Sequence, residues 1–208
     1  MPARGRLIAL EGIDGSGKST QARALADALG ARLTHEPGAT RLGAALRRLL
    51  LTPDAPPRGP RAEALLMAAD RAEHVAAVVE PALAAGEWVV TDRYAGSTLA
   101  YQGSGRGLPV PELQELSAWA SAGLAADLSV LVDVSVEVAA ARLAGAPGGA
   151  DRMERLGPGF AARVREGFLA QAADDPGHWV VVDGSRPVEE VTAHIVDEVR
   201  KRLGDGAR

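Results

Sequence analysis

The chain has 208 residues and a formal net charge of −4, and 47% of its residues are hydrophobic but only 3% aromatic. It contains no cysteine, which excludes disulfide frameworks and thiolate metal sites. No apolar run approaches the roughly 18 residues of a membrane-spanning helix, and the acidic balance does not recommend nucleic acid or an anionic membrane as a partner.

The length fits one domain, and so few rings require a core of Ala, Val and Leu. Leu7 to Leu10 is a short apolar run closed by Glu11-Gly12, which reads as a buried strand. It is too short for the core of a signal peptide, so the chain is expected in the cytoplasm. Gln21 to Leu29 has helical spacing and stops at Gly30. Residues 32–35 form a short strand, and Thr40 to Leu51 is an amphipathic helix ending before Pro53. Pro53 to Pro60 is a proline-rich loop, and Arg61 to Ala85 is a long Ala-rich helix closed by Gly86. Trp88 to Val90 is a strand leading into Thr91-Asp92-Arg93, and Leu113 to Leu124 is a helix. Leu128 to Val134 is a strand, Val136 to Leu143 a helix, and Gly145 to Ala150 a flexible Gly-rich segment. Phe160 to Ala173 is helical, Trp179 to Val182 a strand, and Val188 to Leu203 a final amphipathic helix.

Strands with little polar alternation, alternating with helices, predict an α/β fold with a parallel sheet covered on both faces. Ligands then sit beyond the carboxyl ends of the strands, where Glu11-Gly12, Asp92-Arg93 and Asp133 lie. Trp88, Trp119 and Trp179 stand in apolar runs and are expected in the core. His35, His74, His178 and His194 show no metal spacing and receive no role.

Gly12 to Ser19 matches the phosphate-binding pattern G-x-x-x-x-G-K-[ST]. Glycines let this backbone wind so that its N–H groups face phosphate oxygens, and the next helix adds its positive dipole end. Lys18, one of only two lysines in the chain, reaches the β- and γ-phosphates, and the Ser19 hydroxyl ligates Mg²⁺. Gly12, Gly15, Ser16, Gly17 and Thr20 complete the ATP-phosphate set. No Asn-Lys-x-Asp guanine signature is present, so a GTP switch is not supported. A small P-loop domain with a Gly-rich flap before its last two helices suits a phosphotransferase that closes over two small ligands and excludes water. The competing readings are another nucleotide or deoxynucleoside kinase on the same scaffold, and a P-loop protein that binds nucleotide without transferring it.

Further segments carry a family resemblance. Glu11 to Thr20, Glu36-Pro37-Gly38-Ala39-Thr40, Asp70-Arg71, Asp92-Arg93-Tyr94, Ser97-Thr98, Ala100 to Gly103, Gly105-Arg106-Gly107 and Asp151 to Glu154 occur in this order. In this the sequence resembles the bacterial thymidylate kinases over nearly its whole length. The resemblance implies a P-loop kinase with a five-stranded parallel sheet, a short mobile lid at about residues 143–158, and a homodimer. It implies conversion of dTMP and MgATP to dTDP and ADP.

The resemblance also implies roles. Arg93 binds the acceptor phosphate, and Asp92 sits near Mg²⁺ and the sugar; without the family they read as a strand-end ion pair. Asp14 lies close to the acceptor and Arg93. A carboxylate in an anion-binding loop needs a metal, a hydroxyl or a cation, and otherwise accepts from loop N–H groups. Arg71 reads the thymine edge and Thr98 also faces the base, although an arginine on a helix is more commonly solvated. Tyr101 crowds the sugar 2′ position, or is a core ring. Glu36, Pro37, Ser97 and Gln102 join the dTMP set, and Arg47, with Arg48 beside it, reaches the acceptor phosphate. Asp183 to Pro187 lies near adenine.

Two departures stand out. Where the family places a Phe one helical turn before the thymine-reading Arg, this chain has Met67, which covers a base face but does not stack as a ring does. The P-loop also has Gly15 where some members carry an arginine, and two often-basic lid positions are Ala144 and Ala146. The expectation is that Arg142 supports the ATP side and Arg152 neutralises the migrating phosphoryl group. For Arg152 the alternative is a surface ion pair with Asp151 or Glu154.

Overall fold

The computed structural model describes residues 3–145 and 151–204. The apolar runs form strands β1 (Leu7–Glu11), β2 (Arg32–His35), β3 (Val89–Asp92), β4 (Leu128–Asp133) and β5 (Trp179–Asp183). They pair in parallel in the order β2-β3-β1-β4-β5. The all-parallel sheet explains why β1, β3 and β4 are apolar on both faces: helices cover each side. The edge strands β2 and β5 are covered less, and Leu33 and Val181 are exposed. On one face α1 (Lys18–Leu29) and α9 (Val188–Leu203) pack on Ile8, Leu10, Val130 and Val182. On the other, Val75, Val79 and Leu83 meet Leu7, Ala9 and Val89, and Phe160, Val164 and Phe168 meet Leu131.

Helix α2 (Arg41–Leu51) starts where expected, because the Thr40 side chain accepts from Gly43 N–H at 2.9 Å. Helix α3 (Pro60–His74) widens into a π-helical stretch, Val75–Val79, and runs on as α4 (Glu80–Ala84). Helix α6 (Val110–Ala120) begins and ends earlier than predicted. Pro111 suits its first turn, and Ala122 and Gly123 at positive φ terminate it. Helices α7 (Val136–Ala144) and α8 (Pro158–Asp174) flank the region predicted as a lid, of which residues 146–150 lie outside the described residues.

Two expectations need correction. The segment after Asp92 was not predicted as helix, yet α5 (Ala95–Thr98) continues as a π-helical stretch, Leu99–Gly105. Three glycines weaken its intrinsic preference, but packing against α8 overrides that. Gly105 and Gly167 allow the close approach: a Cβ on Gly105 would lie 2.6 Å from the Phe160 ring, and one on Gly167 2.3 Å from Ser104 Oγ. Second, Trp119 is 81% exposed rather than buried. The buried side of α6 carries Leu113, Ser117 and Ala120, and Trp119 points away from it. Trp88 is buried as expected, and Trp179 is partly buried against the cluster around Phe168.

Candidate active site

The phosphate loop spans the end of β1 and the start of α1. Gly12, Gly15 and Gly17 have φ values of 146°, 82° and 94°, a conformation that glycine adopts freely. The loop also packs closely: a Cβ on Gly15 would lie 2.5 Å from the Ala139 carbonyl oxygen. Lys18 Nζ lies 3.4 Å from Asp14 Oδ1. The exposed Ser19 donates its hydroxyl to Asp92 Oδ2 in a short contact. The other Asp92 oxygen, Oδ1, is buried and has no hydrogen-bond partner. Adjacent residues Asp92 and Arg93 therefore contact different groups.

Arg93, at φ 74°, turns back over the loop. Its Nη1 donates to Gly12 O at 3.0 Å and to Ser97 Oγ at 2.9 Å. Its Nη2 donates to Asp14 Oδ1 and, at 2.9 Å, to the Tyr101 hydroxyl. The Tyr101 hydroxyl donates to Asp14 Oδ2 at 2.9 Å. Burial alone would raise the Asp14 carboxyl, but the Arg93 and Lys18 charges and these hydrogen bonds hold it well below the usual range. Asp14 thus stays ionised at the junction of loop and cleft.

Beneath this junction Glu11 is fully buried. Its Oε1 accepts from Tyr94 N–H at 3.0 Å and Ser97 N–H at 3.1 Å, and its Oε2 from the Ser97 hydroxyl at 2.5 Å. Burial nevertheless pushes Glu11 up to about 7.

All the residues predicted to meet the acceptor nucleotide line a single cleft: Asp14, Glu36, Pro37, Arg47, Met67, Arg71, Arg93, Ser97, Thr98, Tyr101 and Gln102. Arg47 Nη1 donates to Pro37 O at 2.8 Å across the cis Glu36–Pro37 peptide. Arg71 is not on a solvated face; it is 3% exposed. Its Nε donates to Glu36 Oε2 at 3.0 Å, and its guanidinium lies 5.3 Å from the Tyr94 ring centroid. Tyr101 packs edge-on against both Phe160 and Phe168, so it is a core ring and a cleft ring at once. Gln102 donates to Glu63 at 3.1 Å.

Tyr94 lines the cleft as well, and so do Leu51, Asp70, Asp151 and Met153, which received no individual role from sequence although the last three lie in segments that carry the family resemblance. Asp70 is buried, holds Gly38 N–H at 2.9 Å and is pushed up to about 6, first by burial and then by Glu36. His74, given no role from sequence, is buried and bonded to Glu36. Its position one turn after Arg71 on α3 was the available signal.

A separate hollow beside the loop is lined by Ser16, Gly17, Thr20, Arg142, Gly184 and Arg186. Arg142 bridges it, donating to Ser16 O at 3.0 Å and Gly184 O at 2.9 Å.

The thymidylate kinase family model matches residues 10–195. The thymidylate kinase of Leifsonia xyli subsp. xyli is 52% identical, covering 96% of this chain and 94% of the relative. That of Synechococcus sp. is 50% identical, covering 96% and 98%. The chain belongs to the thymidylate kinase family. A crystal structure of the thymidylate kinase from Ehrlichia chaffeensis superposes with a TM-score of 0.77 at 29% identity, covering 95% of this chain and 99% of that one. Membership of this family makes the chain a nucleoside monophosphate kinase using ATP-dependent phosphoryl transfer.

One expected kinase residue stands apart from the loop. Arg152 Nη1 donates to the carbonyls of Ala55 and Pro56, each at 3.1 Å, on the loop after α2. Its neighbours Asp151 and Met153 face the cleft, but the guanidinium is not brought to Lys18. Asp133, at the end of β4, is engaged by Arg165 at 2.7 Å, and Asp183 caps Ser185. Among the described residues no helix is long and apolar enough to cross a membrane.

Proposed function

We propose that this thymidylate kinase family member transfers the γ-phosphoryl group of MgATP to dTMP, giving dTDP and ADP. The observation that carries this reading is the meeting of Lys18, Asp14, Arg93 and Tyr101 where the phosphate loop opens into the cleft. Phosphoryl transfer demands positioning and charge neutralisation rather than covalent chemistry, and this junction supplies both.

The loop N–H groups from Gly12 to Thr20 and Lys18 hold the ATP phosphates, with Arg142 bracing the loop from behind. Ser19 and Asp92 would hold Mg²⁺. The unpartnered Asp92 Oδ1 beside the Ser19 hydroxyl fits a hard cation that takes few protein oxygens and keeps waters and phosphates. A Mg²⁺ held by Ser19 and Asp92 would supply positive charge against the phosphates. Arg93 and Arg47 bind the acceptor phosphate, and Asp14 orients Arg93 and Lys18. Arg71 and Thr98 face the base, Met67 covers it, and Tyr101 lies against the sugar beside Ser97 and Gln102. Glu36 and Pro37 shape the wall between. Arg152 neutralises the migrating group after exchanging the Ala55 and Pro56 carbonyls for phosphate.

The active form is a cytoplasmic homodimer. Helices α3 and α6, which pack together, each leave a large apolar side chain exposed, Leu65 at 59% and Trp119 at 81%. The direct test of the reaction is formation of dTDP and ADP in equal amounts from dTMP and ATP, dependent on added Mg²⁺.

A further inference from the structure

Behind the cleft, four side chains form a buried line from β2 to Arg71. Thr34 Oγ1 lies 2.7 Å from His74 Nε2, His74 Nδ1 lies 2.9 Å from Glu36 Oε1, and Glu36 Oε2 accepts from Arg71 Nε at 3.0 Å. His74 is 1% exposed and Glu36 is 6% exposed, so water does not stand in for either partner. The Glu36 carboxylate accepts from Arg71, so it also accepts from His74, and the imidazole hydrogen sits on Nδ1. Nε2 faces the Thr34 hydroxyl, which holds the ring plane from the other side.

Arg71 has five N–H donors. Nε is taken by Glu36, one Nη1 hydrogen by Ser117 Oγ at 3.2 Å, and Nη2 by Tyr94 O at 3.0 Å and Thr98 Oγ1 at 3.1 Å, with Glu36 Oε2 also 2.9 Å from Nη2. Among the described residues this leaves one Nη1 hydrogen for a ligand in the cleft that Arg71 lines. A fixed N–H donates to a ring carbonyl and opposes an amino group at the same place. Such a site rejects the mismatched analogue strongly only while the donor cannot reorient.

We infer that His74, tuned by Thr34, is a positioning residue for base selection: by holding Glu36 it keeps Arg71 presenting a single donor to the acceptor base. This rests on the reading of Arg71 as base-facing. His74 touches neither nucleotide; it acts through Glu36. The consequence is a loss of discrimination between a thymine-type and a cytosine-type monophosphate, with little change in the rate at saturation.

The test measures kcat and KM for dTMP and dCMP with wild type, His74→Gln, His74→Asn and Thr34→Val, each checked for folding by thermal melting. An asparagine amide N–H takes the place of imidazole Nδ1 and still donates to Glu36; a glutamine amide reaches the Nε2 place and does not. The expected result is that His74→Gln narrows the kcat/KM ratio of preferred to disfavoured nucleotide about tenfold or more, through KM. His74→Asn keeps the ratio within about threefold of wild type, and Thr34→Val lies between. Equal loss in the Asn and Gln variants, or an unchanged ratio in His74→Gln, overturns the inference. If His74→Gln fails to fold, an unchanged ratio in Thr34→Val overturns it. A wild type that prefers another nucleotide defeats the dTMP reading alone, because the narrowing is then read on whichever pair it discriminates.

Discussion

Arg93 and Asp14 form the hinge between the two halves of the site. One guanidinium nitrogen of Arg93 meets Asp14, and the other reaches Gly12 O at 3.0 Å in the phosphate loop. Tyr101 seals the pair by accepting from Arg93 and donating to Asp14, both at 2.9 Å. A phosphate entering between them finds a positive group whose direction is already set, which is what preorganised stabilisation requires.

Replacement of Arg93 by Ala is therefore expected to lower kcat/KM for dTMP by about 10²–10³ while ATP binding changes little. Asp14→Asn is expected to lower kcat with the fold intact, because Arg93 and Lys18 lose their common partner. Steady-state kinetics with each substrate varied in turn checks both.

Met67→Phe is expected to lower KM for dTMP. Met67 lines the cleft on the same helix as Arg71, and a ring there adds stacking of about 1–3 kcal/mol at most. An unchanged KM would show that Met67 does not lie under the base.

Arg152→Ala is expected to lower kcat by about 10³ with KM for either nucleotide little moved. A kcat within about threefold of wild type would retire Arg152 from the chemistry and leave it as a tie to Ala55 and Pro56.

Stability is expected to fall as pH rises through neutrality because of Glu11. Burial pushes this carboxyl up to about 7, above its value in the unfolded chain. Its contribution is fully present below about pH 4, the unfolded value, and is lost as pH rises through about 7. Glu11→Gln lacks this dependence. Urea midpoints at about pH 5 and about pH 8 should therefore move in favour of the variant at the higher pH, and a constant difference would contradict the assignment.

Much of this was legible in the sequence because the signals were local. Continuous apolar runs gave away four strands, of which β1, β3 and β4 are buried on both faces while the edge strand β5 leaves Val181 exposed, and the glycines and lysine of residues 12–19 marked the phosphate loop. What escaped depended on packing between distant segments. Helix Ala95–Thr98 and its continuation hold three glycines that no propensity favours; close neighbours supply the reason, Trp179 and Glu11 at Gly96, Val110 and Leu113 at Gly103, and Phe160 at Gly105. Trp119 sits in an apolar run but on the outer side of α6, a distinction its local composition hides. His74 has no motif of its own, and its meaning comes from Glu36, brought beside it from the end of β2. The carbonyls of Ala55 and Pro56 that Arg152 meets carry no sequence signature, so that contact also had no local sign.

The central claim is that this cleft receives a thymidine monophosphate opposite ATP. The most direct test offers the purified protein MgATP with dTMP, dUMP, dCMP, dGMP and unphosphorylated thymidine in parallel and follows nucleotide product and ADP together. The account predicts the highest kcat/KM on dTMP, with dTDP and ADP formed one for one. Faster turnover of another acceptor, or ATP binding without any diphosphate product, would contradict it.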